Sequence, residues 1–226
     1  MQSAIPRHKP LPYRPDIDGL RALAIIVVVF YHAGVPYFGG GFVGVDVFFV
    51  ISGYLITSII LTEMGQGTFA LTAFYERRAR RLMPTLSIVL LATFVASLAV
   101  MTPYDLMLVG KSIFYTLILS ANLYFADQTG YFSPAMEHAP LLHIWSLAVE
   151  EQFYVVWPLV LIAILKYARR WPVAAAAVLL FASFAASIVV LEEKPVAAFF
   201  YPHTRAWQLL AGCILALGVP DLGRAA

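Results

Sequence analysis

The chain has 226 residues, of which 61% are hydrophobic and 12% charged, with a mean hydropathy of +0.81. A soluble domain carries about 25% charged residues, so this composition excludes an ordinary soluble domain and points to a polytopic membrane bundle. The formal net charge of +2 gives no case for a nucleic-acid partner, and the lone Cys213 excludes a disulfide framework within the chain.

In chain order, residues 1–15 read as an extended leader, rich in proline (Pro6, Pro10, Pro12, Pro15) and basic (Arg7, Lys9, Arg14). The apolar stretch that follows has no small-residue cleavage site, and His32 interrupts it, so it reads as a retained first helix over 17–37 rather than a signal peptide. A turn containing Pro36 and Gly39–Gly41 leads to a second helix over 42–62. A basic connector follows with Arg77, Arg78, Arg80 and Arg81, then a third helix from Pro84 to Met101, with Pro84 suited to a first turn. Residues 106–125 form a weaker apolar segment holding Lys111 and Asn122, and 126–139 a polar irregular loop. Helices are expected over 140–165, with Pro158 inside, over 173–191 and over 205–218. The expected fold is therefore all-α: a polytopic transmembrane bundle of about seven segments, forming a single domain over 16–220 with a tail at 221–226.

The positive-inside rule places the leader and the Arg77–Arg81 cluster in the cytoplasm, and Lys166, Arg169 and Arg170 argue the same for the loop they occupy. Both hold together if 106–125 is re-entrant. If it is a full span, the second basic loop breaks the rule.

Polar residues inside these segments carry the chemistry, because ionisable groups within a membrane span are costly and mark functional paths. Arg21 and His32 lie eleven residues apart, which on a helix is one face and about 16 Å along the axis. Asp18 shares that face. His32 suits a proton acceptor; the plainer reading is a core histidine with one structural hydrogen bond. His143, Ser146 and Glu150 are spaced i, i+3, i+7, so they too share a face if helical. Glu150 is expected in the cavity, and Glu151, rotated away, against a neighbouring helix. A Ser146–His143 nucleophile is disfavoured, since two such side chains on one helix point in parallel and no nucleophile elbow is present. The four arginines exceed what orientation needs. Arg78 and Arg81 present two forks to phosphate groups, with anionic lipid headgroups as the competing ligand. Tyr54, Phe153, Tyr154, Trp157 and Trp207 read as packing and interface anchors.

Five stretches carry a family resemblance: Asp18-Gly19-Leu20-Arg21 through His32; Gly41 to Ile56, which includes Asp46-Val47-Phe48-Phe49-Val50-Ile51-Ser52-Gly53; Phe74 to Pro84, with the arginines; His143-Ile144-Trp145-Ser146-Leu147-Ala148-Val149-Glu150-Glu151-Gln152-Phe153-Tyr154; and Arg205 to Gly212. In order and together, they closely resemble the integral-membrane acyltransferase type 3 family, which O-acylates carbohydrates. The family's basic residue and histidine map onto Arg21 and His32. Its paired arginines map best onto Arg78 and Arg81, although Arg77 and Arg80 fit the same spacing.

The resemblance implies an acyl-CoA donor, usually acetyl-CoA, on the cytoplasmic side and no metal. It implies a glycan acceptor outside, the acyl group passing across a bacterial inner membrane, and a hydrolase-like domain or partner on the far side. It also implies more spans than this chain supplies, so the chain is expected to be shortened at its C-terminal end. A transporter with a polar path, and an inactive remnant of the fold, are the competing readings; no inverted halves are visible in the sequence to favour the first.

Overall fold

The computed structural model describes residues 14–127 and 139–218; the leader before Arg14, most of the polar loop and the tail lie outside the described residues. The described residues are helical, with no strand among them.

Helix α1 runs Pro15–His32. Pro15 opens it, and Asp16 and Asp18 in its first turn face the positive end of the helix dipole. It stops five residues short of the expected Tyr37. Gly34 sits in the left-handed region at φ 66°, its N–H bonds the Tyr31 carbonyl, and the Val35 N–H reaches back to the Phe30 carbonyl. That pair of bonds closes a Schellman motif, which glycine enters without steric cost, and Pro36 follows where the helix cannot resume.

A single 3-10 turn at Gly41–Val43 leads into α2, Gly44–Gly65. α2 runs back along α1. A side chain at Gly44 would strike the backbone oxygen of Ala24, and Arg21 lies over the ring of Phe48 one turn further on.

Helix α3, Leu71–Val100, absorbs the basic connector. Pro84 therefore lies inside the helix rather than at its first turn, where it leaves the Arg80 carbonyl without its ladder N–H. The arginines ride on the same rigid element as the apolar stretch behind them.

The segment 106–125 is not one helix. Thr102 caps α4 (Pro103–Leu117), accepting the Asp105 N–H and donating its hydroxyl to the Asp105 carboxylate at 2.7 Å. Leu119, at φ 56°, then breaks the chain before α5 (Ala121–Asp127). At 15 residues, α4 rises about 22 Å, short of the ~30 Å hydrocarbon core.

Next come α6 (Ile144–Tyr167), α7 (Pro172–Glu193), α8 (Pro195–Phe200) and α9 (Pro202–Gly218). Pro172, Pro195 and Pro202 each take the first helical position, where the missing N–H costs no bond.

Among the described residues, four stretches are long and apolar enough to cross a membrane: Gly41–Gly65, Leu71–Val100, Ile144–Tyr167 and Pro172–Glu193. The other segments expected to span are shorter or more charged: α1 carries Asp16, Asp18 and Arg21, and α9 has 17 residues. The chain is an integral membrane protein by its apolar helices.

The described residues fall into two compact units. The first holds the chain up to Ala70, Pro158–Phe181 and the residues from Trp207 onward. Phe49, Ile56, Ile60, Leu161, Leu209 and Cys213 are buried in it. α2 and α9 touch backbone to backbone there: a Cβ on Gly53 would overlap the Leu209 carbonyl, and one on Gly212 the Val50 carbonyl. Cys213 is buried, its thiol 3.5 Å from the Gly53 oxygen. The second unit holds Leu71–Trp157 and Ala182–Ala206, with Phe125, Leu141, Trp145, Val149, Trp157 and Phe200 buried.

Candidate active site

In the first unit, α1 carries Asp18, Arg21 and His32. The Asp18 carboxylate lies 3.7 Å from the Arg21 guanidinium, whose carbon sits 5.2 Å from the Phe48 ring centroid. Arg21 is thus half-covered by a carboxylate on one side and an aromatic face on the other, which is how an arginine is held in an apolar setting.

His32 closes the last turn of α1 and is exposed. Its Nδ1 is 2.8 Å from the Val28 carbonyl oxygen. A carbonyl can only accept, so Nδ1 must carry the proton and donate. In the neutral ring Nε2 then holds the lone pair. The fold therefore fixes the tautomer, and the basic nitrogen is the one pointing away from the helix backbone.

The same unit holds a polar pair that the sequence reading did not single out. Gln208 Nε2 donates to Asp46 Oδ1 at 2.8 Å, joining the first turns of α2 to α9. Gln208 is almost fully buried, and its Oε1 has no donor within reach. The signal that could have found it is the one that found Arg21: an acid and an amide inside apolar helices.

In the second unit, the arginine cluster lies on the first turns of α3. Arg80 pairs with Glu76 at 2.6 Å on the outside of the helix. Arg78 is different: it pairs at 2.5 Å with Glu151 and lies 4.0 Å over the ring of Tyr154. Glu151 is thus held by a facing helix. Glu150 accepts the Tyr154 hydroxyl at 2.6 Å.

His143 departs from expectation. α6 begins at Ile144, so His143 stands in the turn immediately before the helix that carries Ser146 and Glu150. The Ser146 hydroxyl donates to the backbone carbonyl of His143 at 3.1 Å. That bond occupies the hydroxyl hydrogen that a nucleophile would hand to an imidazole.

A third polar group clamps the α4–α5 break. Gln152 Nε2 donates to the Leu119 carbonyl at 2.5 Å and to Asn122 Oδ1 at 2.9 Å. Asn122 Nδ2 donates to the Phe200 carbonyl at 3.0 Å. Asn122→Ala removes these partners from a site with no exposed surface. It is expected to cost about 1–3 kcal/mol, read as a lower melting temperature of the detergent-solubilised protein.

Comparison with known proteins adds the family. The model of a family described as "Acyltransferase domain" matches residues 14–221. Peptidoglycan O-acetyltransferase OatA of Listeria monocytogenes is 37% identical over 213 residues, covering 92% of this chain and 34% of that protein. A putative peptidoglycan O-acetyltransferase of Bacillus subtilis is 38% identical over 217 residues, with the same coverage of each. A putative O-acetyltransferase of Staphylococcus aureus is 38% identical over 166 residues, 73% of this chain and 27% of that protein. The chain spans about a third of the length of the curated relatives it matches. No solved structure matches it. The family match runs from the first turn of α1 through the end of α9 and takes in Arg21, His32, the arginines of α3 and Glu150: this chain belongs to the acyltransferase family.

Proposed function

We propose that the chain moves an acyl group, acetyl as in the names of its relatives, from a cytoplasmic acyl-CoA to a hydroxyl of a cell-envelope carbohydrate. Peptidoglycan is the polymer named for two of those relatives and is the first acceptor to test. One observation carries the reading: the His32 ring is held with Nδ1–H on the Val28 carbonyl, leaving Nε2 as a base.

In this mechanism Nε2 takes the proton of the attacking hydroxyl as its oxygen bonds to the thioester carbonyl carbon. The C–S bond then breaks, and CoA leaves as a thiolate that recovers the proton from the His32 imidazolium, restoring the base. The imidazolium formed meanwhile is stabilised by its Nδ1–H bond to Val28, since a charge-assisted hydrogen bond is stronger than a neutral one. Asp18 and Arg21 lie three turns from His32 on α1 and form its ionic anchor. The arginine-bearing end of α3 offers cations to the CoA phosphates. Glu150 orients or tunes His143, a histidine of its own unit. The N-terminus is cytoplasmic, the membrane is the bacterial inner membrane, and a hydrolase-like domain or partner works on the far side.

The direct test is transfer of labelled acetyl from acetyl-CoA to isolated cell-wall glycan in membranes holding the protein. Label in the glycan supports the reading; none, from protein shown to be inserted, removes it. Topology has its own check. A reporter fused after Arg170 is expected to read as cytoplasmic, because Lys166, Arg169 and Arg170 cluster at the end of α6 and just beyond it. Extracytoplasmic labelling of that loop would reverse the direction in which α6 crosses.

A further inference from the structure

The four arginines of α3 are not equivalent, and the difference lies in which way each faces. Phe74 is buried, the Tyr75 hydroxyl donates to the Val155 carbonyl at 2.7 Å, and Arg78 meets Glu151 and Tyr154. Residues 74, 75 and 78 therefore form the face that α3 packs against α6. Arg77, Arg80 and Arg81 are exposed, with Arg81 one turn beyond Arg78 at the edge of that face. Arg77 and Arg81 are one turn apart, so their forks are neighbours.

Arg78 is poorly placed for a mobile phosphate. Its side chain is 25% exposed, against 79% for Arg80. One end of its fork is on a carboxylate that is 8% exposed, its flat face covers an aromatic ring, and its Nε is buried with no acceptor. Drawing Arg78 out to a phosphate would leave Glu151 buried and unpaired, which is strongly unfavourable. Its contacts lead instead toward Glu150. Glu151 fixes the guanidinium, the guanidinium packs the Tyr154 ring, and the Tyr154 hydroxyl donates to Glu150 Oε1.

We propose that Arg78 is a positioning residue that sets the Glu150 carboxylate through Tyr154, and that the CoA phosphates fall to Arg77 and Arg81. The assignment rests on the acyl-CoA reading above.

The test is acetyl-CoA kinetics on the full chain in membranes. Arg81→Ala is expected to raise the KM for acetyl-CoA about tenfold with kcat retained, as loss of a charge-assisted phosphate contact does. Arg78→Ala is expected to lower kcat by about tenfold or more, with KM within about twofold. Tyr154→Phe keeps the ring beneath Arg78 and removes the hydroxyl that donates to Glu150, so it is expected to lower kcat in the same way.

A KM rise for Arg78→Ala matching that of Arg81→Ala, with kcat intact, would overturn the assignment. So would full kcat in Tyr154→Phe. Should the unaltered chain show no acetyl-CoA-dependent transfer, the functional reading itself fails. The tie is then judged by melting in detergent. Arg78→Glu and Glu151→Arg should each lower the melting temperature and their combination regain part of the loss; no regain overturns the tie.

Discussion

His32→Ala is expected to abolish acyl transfer while membrane insertion and protein level stay normal. Alanine suits an apolar helix, and His32 is exposed at the helix end, so its removal opens no core cavity. What is lost is the proposed base, a contribution of roughly 10²–10⁴-fold. His32→Asn sharpens the test. Its amide NH₂ can replace Nδ1–H on the Val28 carbonyl, but it has no nitrogen that takes a proton at neutral pH. If the histidine only closes the helix, the asparagine variant should work. If Nε2 is the base, asparagine should be as inactive as alanine. Labelled transfer at matched protein levels decides, and full activity in either variant removes His32 from the chemistry.

Gly212→Val is expected to prevent stable assembly of the first unit. A Cβ at Gly212 would overlap the Val50 carbonyl oxygen and lie 2.6 Å from the Tyr54 nitrogen, both backbone atoms. Side chains can rotate away from an intruding methyl; a backbone carbonyl inside a helix cannot move without breaking the ladder around it. The cost belongs at or beyond the top of the ~1–3 kcal/mol seen for overpacking. Small residues at such crossings let membrane helices approach closely. The readouts are steady-state membrane level and melting temperature in detergent. Gly110→Ala is the control: nothing lies within 4 Å of its Cβ, so the variant should match or slightly exceed the parent. A Gly212→Val protein that accumulates and melts like the parent would show that the crossing is looser than described.

Local pattern made much of this architecture legible. The uninterrupted apolar runs give α2 and α7 within a few residues, because length and composition alone decide them. Helix ends were harder. The glycine at position 34 stops α1 through two backbone bonds, while the apolar pattern continues past it to Val35. Polarity misled at α3: a run of arginines looks like a connector, yet arginine is a good helix former, and the helix continues through it. His143 looked helical from spacing, but spacing cannot say where the first turn begins. Least legible were the partners. Arg78 and Glu151 are 73 positions apart and Asp46 and Gln208 are 162 apart, so only the packing of helices pairs them. The charge at each position could be read from the sequence; the direction in which it points could not.

The continuity of α3 has an evolutionary consequence. Phe74, Leu86 and Leu90 are buried on the same 30-residue rod that carries Arg77 to Arg81. A rod has phase. One residue inserted between Arg81 and Leu86 would turn the arginines by about 100° relative to the anchored apolar end and shift them about 1.5 Å along the axis. In a flexible connector, such an insertion would be harmless, since the loop would absorb it. Here it would swing Arg78 off Glu151 and aim the other cations elsewhere, with no charge altered. Lineages carrying this protein should therefore tolerate swaps among the exposed residues of this stretch far better than changes in its length.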